Sequence, residues 1–274
     1  MITIIFAPPR TGKTCFMTHI LNQYAFNLER NKLMRQEIIQ KKQNGFNKLT
    51  IPEHCVSSNY NITFFQFRYS SRYSRLINPF RLGFKNDFVD THFNLPYEVI
   101  GITEAQKYLN SRMSVYFPEW QSRWYEQHGH NNLDIYLDTQ RPMLIDVNIR
   151  ELAKFIEIVK LTIKSDKHGK IKFLKWKIRK IDNSSLFDRY ISSGKKDKSC
   201  YTEEEVTANY NVFACYDSQS CKPKFYDGHF EQDFDYFNSE PVEETLEGYV
   251  KYLNDVDDEL PNKFYQSRST IKKG

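Results

Sequence analysis

The chain opens on five apolar or β-branched residues, Ile2–Phe6, with no polar break. So short and uniform a run predicts a strand buried on both faces, as in a parallel sheet. From Cys15 to about Gln43 there is no Pro or Gly, and Phe16, Ile20, Leu21, Tyr24, Leu28, Leu33 and Ile38 recur at helical spacing. This predicts helix, with a break expected near Asn31 where the sequence turns very polar. Residues 55–60, 98–104 and 133–140 read as further strands, the last two strongly apolar with polar ends. Residues 118–128 read as a helix with Pro118 near its start, and 144–152 as a loop and short helix. Strands alternating with helices predict a mainly parallel, doubly wound α/β sheet flanked by helices.

From residue 155 the pattern changes. Residues 155–165 and 171–181 alternate apolar and polar positions around the turn at 166–170, a hairpin signal. The run from Lys172 to Lys180 has one apolar and one basic face, with Lys175, Lys177 and Arg179 on the basic one. The expectation is an antiparallel extension over about 155–182, then a mobile loop at 192–199 and one more strand at 212–218. Residues 61–97 mix Arg68, Arg72, Arg75 and Arg81 with aromatics and show no period, so they read as an insertion between core strands. Its aromatics and arginines suit either stacking on bases or burial of the loop on its own domain. Residues 1–220 are expected to form one domain, and 221–274 an acidic tail with one helix at 242–253.

Composition narrows this picture. The 274 residues carry 21 Phe and 18 Tyr, ample for a core. Five scattered cysteines, with no ligand pattern around Cys215 and Cys221, predict reduced thiols and no zinc site. No signal segment precedes the first strand, and no window reaches the ~18 apolar residues of a membrane span. A soluble, cytoplasmic chain, peripheral at most to the inner face of the membrane, is therefore expected. The net charge of +5 hides a basic middle, about 154–198, and an acidic stretch from Glu203 onward. The basic middle suits nucleic acid or a solvated lysine-rich strand face equally.

The chemistry sits at strand ends. Ala7-Pro8-Pro9-Arg10-Thr11-Gly12-Lys13-Thr14 fits the phosphate-binding pattern G-x-x-x-x-G-K-[ST], with Ala7 in the place of the first glycine. Strand, loop and helix N-terminus in this order make an anion cradle for ATP. Its expected contacts are Ala7, Pro8, Pro9, Arg10, Thr11, Gly12, Lys13, Thr14 and Cys15. Lys13 would neutralise phosphate charge, and the Thr14 hydroxyl would sit on Mg²⁺. Nucleotide hydrolysis also needs a group to polarise water and an acidic residue near the metal. Glu104 is the candidate for the first, with a turn-capping role as its plainer alternative. Thr103 stands where an aspartate is usual, and could hold only a metal-bound water. Gln140, at the end of the next strand, is the candidate sensor of the γ-phosphate.

The set of residues 7–14, Ile100-Gly101-Ile102-Thr103-Glu104-Ala105-Gln106, Asp134-Ile135-Tyr136-Leu137-Asp138-Thr139-Gln140-Arg141-Pro142 and Ile145-Asp146-Val147-Asn148-Ile149-Arg150 resembles the zonular occludens toxin (Zot) family, over roughly residues 1–220. That family includes filamentous-phage assembly ATPases and belongs to the FtsK–HerA group of P-loop NTPases. The resemblance implies a RecA-like domain and a homo-oligomeric ring, with a hexamer as the expected size. It also implies ATP-driven movement of DNA or extrusion of phage, with a phage assembly or membrane protein as partner. By the same resemblance Glu104 matches the catalytic acid and Gln140 the sensor. Arg150 matches a basic position that reaches a neighbouring subunit's nucleotide, a part that Arg112 or Arg141 could play instead. The family's membrane span is absent from this sequence. Two other readings stay open: a nucleotide-binding scaffold that barely hydrolyses, favoured by Thr103, and a small-molecule kinase with an arginine-rich lid at 68–81.

Overall fold

The computed structural model describes residues 1–43, 54–60, 62, 74–77, 79, 82, 96–112, 119–165, 167–168, 171–209, 212 and 215–216. Within them one sheet contains β1 (Ile2–Phe6), β2 (Val56–Ser58), β3 (Arg75–Leu76), β4 (Val99–Ile102), β5 (Asp134–Thr139), β6 (Ala153–Ser165), β7 (Ile171–Ile181) and β8 (Thr202–Asn209). Their spatial order is β3-β2-β4-β5-β1-β6-β7-β8. Every pairing from β3 across to β6 is parallel, and β7 and β8 add on antiparallel. The helices are α1 (Lys13–Ala25), α2 (Leu28–Gln43), α3 (Glu119–Glu126), α4 (Val147–Glu151) and α5 (Ser184–Ser192). The architecture is the expected α/β one, a mainly parallel sheet flanked by helices.

β1 is buried along its whole length because both faces are covered. Successive residues serve different layers: Ile5 joins Phe16, Met17, Leu21 and Trp176 on the α1 side, while Ile4 joins Ile100, Leu137 and Phe155 on the other. Gly101 lets α1 lie close, since a β-carbon there would come within 2.5 Å of Leu21 Cδ1. A larger residue in β4 would push the helix away from the sheet.

The helical stretch breaks at Phe26 and Asn27, earlier than the polar composition suggested. Asn27 Oδ1 accepts from Arg30 N at 3.0 Å and so caps α2. Asn31 is buried across the break, donating to Ala25 O at 2.9 Å and accepting from Cys55 N at 2.9 Å.

The antiparallel extension differs from expectation in three respects. Its first strand, β6, pairs in parallel with β1 through Ala153–Glu157 and antiparallel with β7 from Phe155 onward, with a register shift between Ile158 and Lys160. The extension continues through α5 and β8, neither of which the hydrophobic pattern announced. Finally, residues 192–199 are pinned rather than loose. Asp197 Oδ1 accepts from Ser199 N at 3.0 Å, Arg189 pairs with Asp197 at 2.6 Å, and Lys195 donates to the buried Glu157.

The basic face of β7 meets an acidic strand. Lys175 pairs with Glu205 at 2.6 Å, Lys177 with Glu203 at 2.8 Å and Arg179 with Glu203 at 3.1 Å, while Lys180 pairs with Glu204. Of the two readings of the basic middle, cross-strand pairing favours the solvated strand face. Of residues 212–218, Val212, Cys215 and Tyr216 are described, and Tyr216 makes an isolated bridge to Ile62. The helix expected at 242–253, the acidic tail and most of the 61–97 insertion lie outside the described residues.

Candidate functional site

The order of the strands decides which side chains can meet. β5 lies between β1 and β4, so its carboxyl end stands between the phosphate loop and Glu104. Ile5 is in register with Asp138, and Ile102 with Leu137, which brings Thr103 alongside Asp138.

The loop leaves β1 at Ala7, which is buried at 2% exposure. Among the described residues, the non-glycine ones with positive φ are Arg10, Tyr97, Glu104, Asn132 and Lys195. Ala7 is not one of them, so alanine carries no backbone strain there. Arg10 at φ 63° and Gly12 at φ 80° make the sharp turns that bring the chain to α1. Pro8 O accepts from Thr11 Oγ1 at 2.7 Å and from Lys13 Nζ at 3.1 Å, holding the loop closed on itself. Gly12 is the N-cap of α1 and brings no side-chain hydrogen bond. The first-turn amides of Lys13, Thr14 and Cys15 therefore supply the donor end of the helix, the feature that binds an anion. The Cys15 thiol is buried and its pKa is pushed up to about 12, chiefly by that burial. Only its backbone can serve a ligand.

Across from the loop, Asp138 is fully buried. Its Oδ2 accepts from Thr14 Oγ1 at 2.8 Å and from Thr103 Oγ1 at 2.9 Å, and its Oδ1 from Glu104 N at 3.0 Å. Burial raises its pKa, opposed by the bonds from Glu104 N, Thr14 and Thr103 and by the attraction of Lys13. Among the described residues it has no ion-pair partner. A buried carboxylate facing two hydroxyls is the hard oxygen donor set that suits a divalent cation, so the residues present fit Mg²⁺.

Glu104 sits in the left-handed region at φ 52°, ψ 42°, heading a 3₁₀ turn at Ala105–Lys107. For a non-glycine residue this conformation stores strain, of the kind that accumulates at functional sites. It is over-determined by its neighbours. Asn59 accepts from Thr103 N at 2.8 Å and donates to Thr103 O at 3.1 Å. Gln140 Nε2 donates to Glu104 Oε1 at 3.2 Å, and Gln106 donates to Oε2.

The structure thus gathers Lys13, Thr14, Thr103, Glu104 and Gln140 around one point. Arg150 is not among them. Ile2 is in register with Ala153, so the C-terminal end of α4 leads into β6 at the end of the strands opposite the loop. There Arg150 donates to Ile145 O at 3.1 Å and to Met143 Sδ at 3.1 Å. Arg112 and Arg141 are exposed. Asp146, within the same motif, caps α4 by accepting from Asn148 N at 2.9 Å. Sequence reasoning missed Asp138, Asn59 and Gln106. An aspartate inside an otherwise apolar strand was the available signal for the first.

Strand, phosphate loop, helix and a third strand inserted before the acidic one define a RecA-like P-loop NTPase fold. No protein-family model and no curated sequence matches the chain. Among solved structures, the N-terminal domain of zonular occludens toxin from Neisseria meningitidis matches with 17% identity and a TM-score of 0.43, over 79% of this chain and 98% of that one. The DNA-packaging ATPase of Sulfolobus turreted icosahedral virus matches with 14% identity and a TM-score of 0.33, over 67% and 93%. The genome packaging NTPase of Sulfolobus turreted icosahedral virus 2, in complex with ATP-gammaS, matches with 12% identity and a TM-score of 0.34, over 68% and 93%. At these identities and TM-scores the likeness assigns no chemistry to individual residues.

Proposed function

We propose that the chain is an ATP-binding and ATP-hydrolysing motor for viral or prophage DNA movement, virion assembly or extrusion. The observation that carries the enzymatic part is the junction of Thr14, Asp138 and Thr103 beside a strained Glu104. Lys13 and the first-turn amides of α1 bind the β- and γ-phosphates. Mg²⁺, if held at the Thr14, Asp138 and Thr103 oxygens, would supply positive charge against that developing on the phosphates. Thr14 holds the metal side of the loop in position. Glu104 takes a proton from the attacking water, and Gln140 holds that carboxylate while standing close to where the γ-phosphate ends. Turnover is then set by how well these groups are positioned rather than by covalent chemistry.

The scaffold reading rested on Thr103 adding no charge. Asp138 supplies a carboxylate 2.9 Å from it, which favours hydrolysis. The motor part rests on the motif resemblance, which implies a ring, DNA, and an arginine acting between subunits. Arg150, whose hydrogen bonds go to Ile145 and Met143 rather than to its own loop, suits a role in trans, and exposed Arg112 and Arg141 compete for it. Among the described residues no helix is long and apolar enough to cross a membrane. A host-cytoplasmic protein that docks on a separate membrane partner fits this.

ATPase rate measured with and without single- and double-stranded DNA, beside the mass in solution, tests the reading. An oligomer with DNA-stimulated turnover is expected. A monomer whose turnover ignores DNA would leave an ATPase without a motor role.

A further inference from the structure

We propose that Asp138 is the carboxylate of the magnesium site, contributed by β5 in place of the aspartate that Thr103 displaces from the end of β4. The inference rests on the nucleotide-binding reading and deepens it.

Such a site needs a P-loop hydroxyl and an acidic group beside the metal. Thr103 has the position on β4 but no charge. Asp138 has the charge, and the strand order gives it the position, because β5 lies directly beside β1 whereas β4 is one strand further away. Its Oδ2 bridges Thr14 Oγ1 at 2.8 Å and Thr103 Oγ1 at 2.9 Å, so one oxygen touches both the loop hydroxyl and the substituted position. The two hydroxyls also lie 3.3 Å apart, closing a triangle.

Energetics point the same way. A carboxylate at 0% exposure is costly unless a cation or a full set of donors compensates it. Asp138 has two hydroxyls and one amide, and no ion-pair partner among the described residues. Hydroxyls are ambivalent groups that can turn their protons away and offer lone pairs instead. The cluster can therefore change from a hydrogen-bonded resting set to a set of oxygen ligands without moving a strand. An exchange of charge between neighbouring strands explains how Thr103 is tolerated. The acid has moved one strand closer to the loop rather than being lost.

The test is ATP affinity in excess EDTA and in Mg²⁺, with Mn²⁺ electron paramagnetic resonance as a second readout. Wild type should bind ATP in EDTA and bind more tightly in Mg²⁺. Asp138→Asn should keep the EDTA affinity within about threefold, lose at least about tenfold of the gain from Mg²⁺, and lose the nucleotide-dependent Mn²⁺ signal. Thr103→Asp/Asp138→Asn, which returns the acid to β4, should recover much of that gain. Full Mg²⁺ gain in Asp138→Asn would overturn the proposal. So would loss without recovery in a double variant that still binds ATP in EDTA, since Asp138 would then be structural only. Wild type that binds no ATP in either condition would instead overturn the nucleotide-binding reading itself.

Discussion

Leu161 Cδ2 lies 2.8 Å from the point where a β-carbon on Gly12 would sit, so the β6–β7 hairpin closes on the phosphate loop from the side. Gly12 is thus required twice, once by its φ of 80° and once by this contact. Gly12→Ala should cost about 1–2 kcal/mol from the left-handed conformation alone and should lower nucleotide affinity. Adding Leu161→Ala should relieve the clash but not the backbone strain. Thermal denaturation and ATP titration of the single and double variants check this.

Trp176 belongs to the same contact. Its indole Nε1 lies 3.4 Å from that β-carbon position, and among the described residues it has no hydrogen-bond acceptor. The ring stacks on His19 at 5.8 Å and meets Phe16 edge-on at 5.4 Å. Filling the loop should therefore change its emission. ATP should shift tryptophan fluorescence in wild type, and Trp176→Phe should abolish the shift while leaving ATP affinity near normal.

Glu104→Gln should keep nucleotide binding and cut turnover by about 10²–10⁴, the usual contribution of a general base. Gln140→Ala should also lower turnover, by less, because Gln106 still holds the Glu104 carboxylate. Measured ATP affinity beside single-turnover hydrolysis separates the two steps.

The ion pairs between β7 and β8 predict a null result that is informative. Replacing Lys175 and Lys177 by Gln should leave DNA affinity nearly unchanged, because both are already neutralised by Glu205 and Glu203. Replacing those two glutamates by Gln should raise non-specific DNA binding and steepen its salt dependence. Filter binding at several salt concentrations reads both.

Asp197 offers a pH marker for the segment after α5. Its pKa is lowered to about 2 by the Ser199 hydroxyl and amide and by Arg189. Depressed below the unfolded value of about 3.9, it contributes stability in full above that value and loses it as pH falls toward 2. A ¹³C carboxyl titration should give a midpoint near 2, rising toward the unfolded value in Ser199→Ala.

The sequence made the parallel core legible because strands buried on both faces leave uniform apolar runs, as Ile2–Phe6 does. The loop was legible because phosphate binding dictates residue types at fixed spacing. β8 was not, since as a strand at the edge of the sheet it needs few apolar residues: Ala208 is buried and Val206 half-buried among polar neighbours. α5 was short, but its cap, Asn183 accepting from Leu186 N at 2.9 Å, was readable beside Phe187 and Tyr190. Asp138 was passed over for a topological reason. Nothing local in a strand reveals that it will be inserted between two others, and that insertion turns an interior aspartate into a site residue.

The central claim is that this loop binds and hydrolyses ATP, and comparing ATP turnover by wild type with that by Lys13→Ala tests it most directly. The account predicts turnover in wild type that requires Mg²⁺ and falls to background in a folded Lys13→Ala protein. Turnover that survives Lys13→Ala would contradict it.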